Sequence, residues 1–146
     1  MKAVCGLFSQ TDVSRHCRKT AQDSKNVLTD MTQKQIAEAF SNGNFEVTYP
    51  HLADDVQWTV IGEDNFDGKK AVMDNCEQVA GYFKSVTTNF KTINTIADNN
   101  RVAVSGTAEF IRDGKRVNFV SARDVYEFND KNKLLTITSY CIADKK

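Results

Sequence analysis

Metal ligands and charge of one sign are both scarce in this 146-residue chain. It has two histidines, His16 and His51, and four cysteines, Cys5, Cys17, Cys76 and Cys141, with no CxxC pair. A structural zinc needs three or four N/S ligands at close, patterned spacing, so no metal is expected. Lys+Arg and Asp+Glu number 19 each and cancel. Nucleic acid is held by clustered positive charge and an anionic membrane surface by a polybasic segment. Neither partner is expected here. No apolar run approaches the roughly 20 residues that cross a bilayer. Phosphate loops and nucleophile elbows are missing too, and no cofactor is expected. The scattered cysteines read as free, mostly buried thiols in a reducing, cytoplasmic compartment.

What is present suits one globular domain. Hydrophobic residues make up 40% and charged residues 26%, which is ordinary for a soluble fold with a real core. The first 30 residues differ from the rest. They are polar, carry five Lys/Arg against three Asp, and show no sustained apolar period. Ala3 to Phe8 is too short and interrupted for the apolar stretch of a signal peptide. Residues 1–30 are therefore read as a loosely ordered extension, with Met31 as an alternative start, and residues 31–146 as the domain.

From Met31 on, the pattern sharpens. Thr32 and Gln35 have capping-box spacing. Ile36 and Phe40 share one helical face, and Gly43 suits the left-handed position after the helix end. A second helix is predicted over 45–53 with Phe45, Tyr49 and Leu52 inward, made irregular by Pro50. A strand is predicted over Val56–Ile61, with Val56, Trp58 and Val60 on one face. "EDNFDG" reads as a turn-rich connection. The third helix, Lys69–Lys84, carries the stripe Val72, Cys76, Val79 and Phe83. Four strands follow, at 86–97 with a bulge, 101–112, 115–128 and 134–142. Asp113-Gly114 is the strongest hairpin signal. Helices segregated from an antiparallel sheet make an α+β fold.

Three stretches carry a resemblance: "FSNGNFEVTYPHLADDVQW", "FDGKKAV" and "ARDVYEFNDKNKLLTITSY". In order and spacing they resemble the SnoaL-like, or NTF2-like, superfamily over about residues 32–143. The resemblance implies a cone, in which a curved antiparallel sheet wraps around three helices and leaves a pocket at its open end. Ketosteroid isomerases, SnoaL-type polyketide cyclases, scytalone dehydratase and limonene epoxide hydrolase place chemistry there. Other members use the same cone without chemistry, so fold alone does not decide function.

Residue by residue, most of that chemistry does not transfer. The isomerase base position falls at Val60 and the oxyanion tyrosine at about Ile36; neither moves a proton. The epoxide hydrolase needs an arginine two residues before a pocket aspartate, and here Arg123 is adjacent to Asp124 and so points to the opposite face. The dehydratase relies on pocket histidines, and neither histidine falls clearly in the pocket. Asp124 survives: it matches the pocket carboxylate of isomerases and cyclases. Parity supports it, because Val120, Ala122, Asp124, Tyr126 and Phe128 share a face that is apolar but for that carboxyl and one hydroxyl. Asp124 is thus a pocket acid, a buried structural acid, or, through a one-residue bulge, an exposed one. A desolvated carboxyl has a raised pKa, and such groups cluster at working sites.

Trp58 reads either as a flat wall for a ring-bearing ligand or as a core aromatic. Val60 shares its inner face. Tyr82, Tyr126 and Tyr140 either aim hydroxyls at the cavity or pack in the core or an interface. Two functions follow. One is a pocket protein for a hydrophobic or aromatic, carbonyl-bearing small molecule, with Asp124 as acid or base in an isomerase, cyclase or lyase step. The other is a non-catalytic binding or dimerisation module, a homodimer through the outer sheet face at Val117, Phe119 and Val125.

Overall fold

The computed structural model describes residues 30–144, so the expectations for residues 1–29 lie outside it. Helix α1 spans Gln33–Ser41, and a 3₁₀ segment follows at Glu46–His51. Strands β1 (Leu52–Val60) and β2 (Asp64–Asp67) precede helix α2 (Lys69–Ser85). Then come β3 (Thr87–Asp98), β4 (Arg101–Arg112), β5 (Lys115–Phe128) and β6 (Leu134–Ala143). The six strands form one sheet in the order β2-β1-β6-β5-β4-β3. The fold is the α+β cone, a mostly antiparallel curved sheet with three helical segments against it.

Helix α1 begins and ends as its sequence dictates. The Gln35 N–H donates to Thr32 Oγ1 at 3.2 Å, and the Thr32 N–H donates to Gln35 Oε1 at 2.9 Å. At the other end Gly43 takes φ +77°. The N–H groups of Gly43 and Asn44 return to the Phe40 and Ala39 carbonyls at 3.1 and 2.9 Å, a Schellman motif. A Cβ on Gly43 would come within 3.0 Å of the Phe83 ring, so this turn also lets two aromatics close in.

Three expectations need correcting. The second helix is a 3₁₀ turn that ends at His51, and Leu52 already opens β1. Pro50 removes a donor, which the short i→i+3 pattern tolerates better than a continuing α-helix. "EDNFDG" contains strand β2, whose Phe66 pairs with Trp58; four residues rich in Asp and Asn gave no alternation to read. Finally, the sheet is not wholly antiparallel, because β1 runs parallel to β6.

The long strands keep the expected faces. Asp113 and Gly114 both have positive φ, 52° and 74°, as a type I′ hairpin requires. The bulge in β3 falls between Thr92 and Asn94. It lies opposite Gly106, whose missing Cβ would meet the Lys91 carbonyl oxygen at 2.6 Å. The close approach of β3 and β4 at this kink therefore requires glycine. The main core joins α1, the 3₁₀ segment, β1, α2 and the inner faces of β4–β6. A smaller cluster, Ala108, Phe110 and Val120, is flanked by partly buried Tyr82, Phe83, Phe90, Ala122 and Cys141.

Candidate functional site

Between these two clusters lies a cavity of about 90 Å³. One wall is the C-terminal end of α1 with Ser41, Asn42 and Gly43. A second is α2 through Asn75, Val79 and Phe83. The sheet supplies the rest, including Trp58, Phe90, Phe110, Asp124 and Ser139. The lining is thus largely apolar and includes several aromatic rings, as small-molecule sites do.

Asp124 is the one carboxylate in that lining. Strand β5 places it between Val104 of β4 and Ser139 of β6. Its side chain is ringed by protein, and the solvent it touches is the cavity's. Ser41 Oγ donates to Asp124 Oδ2 at 2.8 Å and lies 2.6 Å from the Tyr126 hydroxyl. The Ser139 and Tyr126 hydroxyls also face the carboxyl and favour its charged form. Trp58 Nε1 donates to Ser139 Oγ at 3.0 Å, which leaves the Ser139 proton to point at Asp124. Loss of bulk water raises the Asp124 pKa above the usual carboxylate range. The three hydroxyls act the other way by stabilising the anion, and desolvation is the larger effect. Burial, reinforced by the Asp124 charge, pushes the Tyr126 hydroxyl well above its ordinary value. Tyr126 therefore stays protonated and serves as a donor.

Chemically, this is a carboxyl poised between two uses. Protonated, it donates a hydrogen bond to a ligand carbonyl; ionised, it is a stronger base than a solvated aspartate. The hydroxyl cage fixes its position in either state.

The structure brings together some of the sequence-derived candidates and separates others. Asp124 and Trp58 line the cavity. Val60 is packed in the main core, 3% exposed, and does not line it. Tyr126 is fully buried behind the site, with its ring edge-on to Phe40, and it reaches the site only through its hydroxyl. Tyr82 packs beside Phe110 and Phe83 outside the lining. Tyr140 is on the outer face, 46% exposed, because β6 alternates and Ser139 takes the inward position. Arg123 likewise faces out, its Nε donating to Ser105 Oγ at 2.9 Å.

Ser41, Ser139 and Asn75 were missed by sequence reasoning. Ser139 shares its parity with Ile137 and Cys141, so the argument that found Asp124 would have found it. Asn75 sits in the same helical stripe as Val72 and Val79. Ser41 gave no signal, since it is simply the last residue of α1. Among the described residues, no group of three or more His, Cys, Asp or Glu could hold a metal ion. No described helix is long and apolar enough to cross a membrane.

Fold and site define a cone-shaped domain with an acid-bearing apolar cavity. The chain belongs to the SnoaL-like family: the SnoaL-like domain matches residues 33–135. An NTF2-like protein of unknown function from Cytophaga hutchinsonii is similar at 33% identity, with a TM-score of 0.66, over 73% of this chain and 93% of that one. An LEH-like epoxide hydrolase from M. tuberculosis shares the fold at 19% identity and TM-score 0.58, over 75% of this chain and 82% of that one. No curated protein matches the chain.

Proposed function

We propose that this protein binds a hydrophobic or aromatic, carbonyl-bearing small molecule in the cavity and that Asp124 is its acid–base group. The observation that carries this reading is a carboxyl with a raised pKa, caged by three hydroxyls, facing an aromatic-lined cavity. The reaction would be a cofactor-free isomerase, cyclase or lyase step. Ionised Asp124 takes a proton from the carbon beside the carbonyl, and the C–H electron pair moves to give the enolate. The proton is then returned at another carbon, or a leaving group departs. The buried, free thiol of Cys76 supports a reducing, cytoplasmic setting.

The test is proton exchange. Cyclohex-2-enone is incubated with the full chain in deuterated buffer and followed by proton NMR. Exchange faster than the buffer rate is expected, with loss of about 10²-fold or more in Asp124→Asn, the usual weight of a positioned base. If the ketone shifts the Phe83 and Phe110 ring signals without exchange, the protein is a binder. If it does neither, the pocket reading fails.

A second reading is favoured by the outer sheet face. Ile142 is 71% exposed, Ile93 and Ile96 are each 63% exposed, and Tyr140 adds a fourth apolar surface. The β3 bulge turns both isoleucines outward despite their odd spacing. Of the residues first considered, Val117 is exposed at the start of β5, while Phe119 is half-buried beneath the Arg116 guanidinium and Val125 is half-buried. On this reading two copies pair sheet to sheet. Sedimentation of Ile142→Glu against the unaltered chain checks it: a fall from dimer to monomer is expected, and unchanged mass counts against the pairing.

A further inference from the structure

Asn75 is a buried polar side chain of α2 that the mechanism above leaves unused. It is 8% exposed and it lines the cavity. Its helical neighbours at spacings of three and four are Val72 and Val79, both in the core, so the helix turns the amide inward. Asparagine is a poor residue for the interior of a helix, where its side chain competes for backbone hydrogen bonds. Burial of an amide adds a desolvation cost unless partners are found.

The other two buried polar residues have such partners. The Thr48 hydroxyl donates to the Phe45 carbonyl at 2.6 Å, and Ser139 accepts from Trp58. The Asn75 amide has no hydrogen-bond partner among the described residues. Nor is it sealed in the packing, so its polar end opens on the cavity. It stands on the helical wall, whereas Asp124 stands on the sheet wall. Between them the cavity of about 90 Å³ is bounded by rings and offers room on the scale of a single small ring.

We propose that Asn75 anchors the ligand and determines its specificity, selecting a ring-sized molecule that carries an amide-type edge, an acceptor beside a donor. The inference rests on the pocket reading and adds a second polar contact to it. Nδ2 would donate to the ligand carbonyl and Oδ1 would accept from its N–H or O–H. A ligand without that edge would leave both Asn75 groups buried and unpaired, which is the strongest form of rejection that a small pocket has.

The experiment uses the full chain and three probes of similar shape: benzamide (acceptor and donor), acetophenone (acceptor only) and isopropylbenzene (neither). Binding is read from the Phe83 and Phe110 ring signals. The near-isosteric Asn75→Leu should weaken benzamide about 25-fold, since a net hydrogen bond is worth roughly fivefold and two are lost. It should weaken acetophenone less and leave isopropylbenzene unchanged or tighter. Equal weakening of all three, or undiminished benzamide binding, overturns the anchor while leaving the pocket in place. If no probe binds the unaltered chain, the pocket reading fails and the anchor with it. Melting temperature gives an independent check. Removing an unpartnered buried amide should leave it equal or higher, and a fall overturns the proposal. Asn75→Ala carries the probe series if the leucine variant does not fold.

Discussion

Tyr126 and Asp124 lie two residues apart on the same face of β5, yet their surroundings differ. Tyr126 is sealed, with Val102 and Ile137 beside it on the neighbouring strands and Phe40 edge-on above. From Asp124 towards the start of β5 the packing opens, and Phe83, Phe90, Ala122 and Cys141 are only partly buried. Two features of the chain cause this. Helix α1 stops at Ser41 and turns away at Gly43, so it covers only one end of the inner face. Along β4 the inward residues shrink from Val102 and Val104 to Gly106 and Ala108, and along β5 from Tyr126 to Ala122. The cavity is therefore the place where cover and side-chain volume run out together. The lesson is that one sheet face can be solid core at one end and line a cavity at the other.

The largest effect that tests this contrast is truncation. Leu134→Ala, at a fully buried position, should cost about 3 kcal/mol in chemical denaturation. Phe90→Ala, a larger deletion at a partly exposed ring of the open end, should cost about 1 kcal/mol, because solvent can occupy the space left. Equal costs would mean that the open end is packed as tightly as the core. Enlargement sharpens the same point. Ala37→Leu, in the sealed core, should lose about 2 kcal/mol by overpacking. Ala122→Leu should be near neutral in stability and should abolish the shifts that cyclohex-2-enone causes. A destabilised Ala122→Leu would show that the cavity cannot take added volume.

Much of the fold was legible because it rests on local signals. The capping box at Thr32, the left-handed Gly43, the Asp113-Gly114 hairpin and the alternation of β4 and β5 each act over a few residues. What escaped depended on distant pairing. Strand β2 has little propensity of its own and exists because Trp58 and Phe66 meet. The parallel match of β1 with β6 joins segments about 80 residues apart. The site divided the same way. Parity placed Asp124 on the inner face, but the same parity was not carried to β6, where it puts Tyr140 outside and Ser139 within. Val60 and Tyr126 share the right face and still miss the cavity, since a face does not say where its cover ends.

A smaller perturbation asks whether the hydroxyl cage belongs to the core or to the site. Ser139→Ala leaves the Trp58 N–H without its acceptor and takes one donor from Asp124. A buried donor left unpaired costs on the order of 1–2 kcal/mol. The variant should also move the Asp124 carboxyl to a still higher pKa, since an anion-stabilising bond is gone. Carbon-detected NMR of the carboxyl reads this directly. A pKa unmoved by Ser139→Ala would mean that the serine serves only the tryptophan.

The smallest expected effect carries the most information about Asp124. Its folded pKa lies above the unfolded one, near 3.9. Between those two values the folded chain keeps a proton that the unfolded chain has lost. Stability must therefore fall as pH rises from about 4 through the folded pKa, and then level off. Glu109 has the opposite sign: hydrogen bonds from Arg116 and Asn89 lower its pKa, so its contribution is lost as pH falls. Both effects add in the unaltered chain, so the slope of the whole is ambiguous. The difference between Asp124→Asn and the unaltered chain is not, because every other group cancels. That difference should grow in favour of the asparagine as pH rises from 4 to 7, since the neutral amide pays no desolvation penalty for charge. A difference that grows the other way would mean that the hydroxyls outweigh desolvation. Asp124 would then be a fixed anion of the packed region, and the boundary between sealed core and working cavity would lie beyond it, at Ala122.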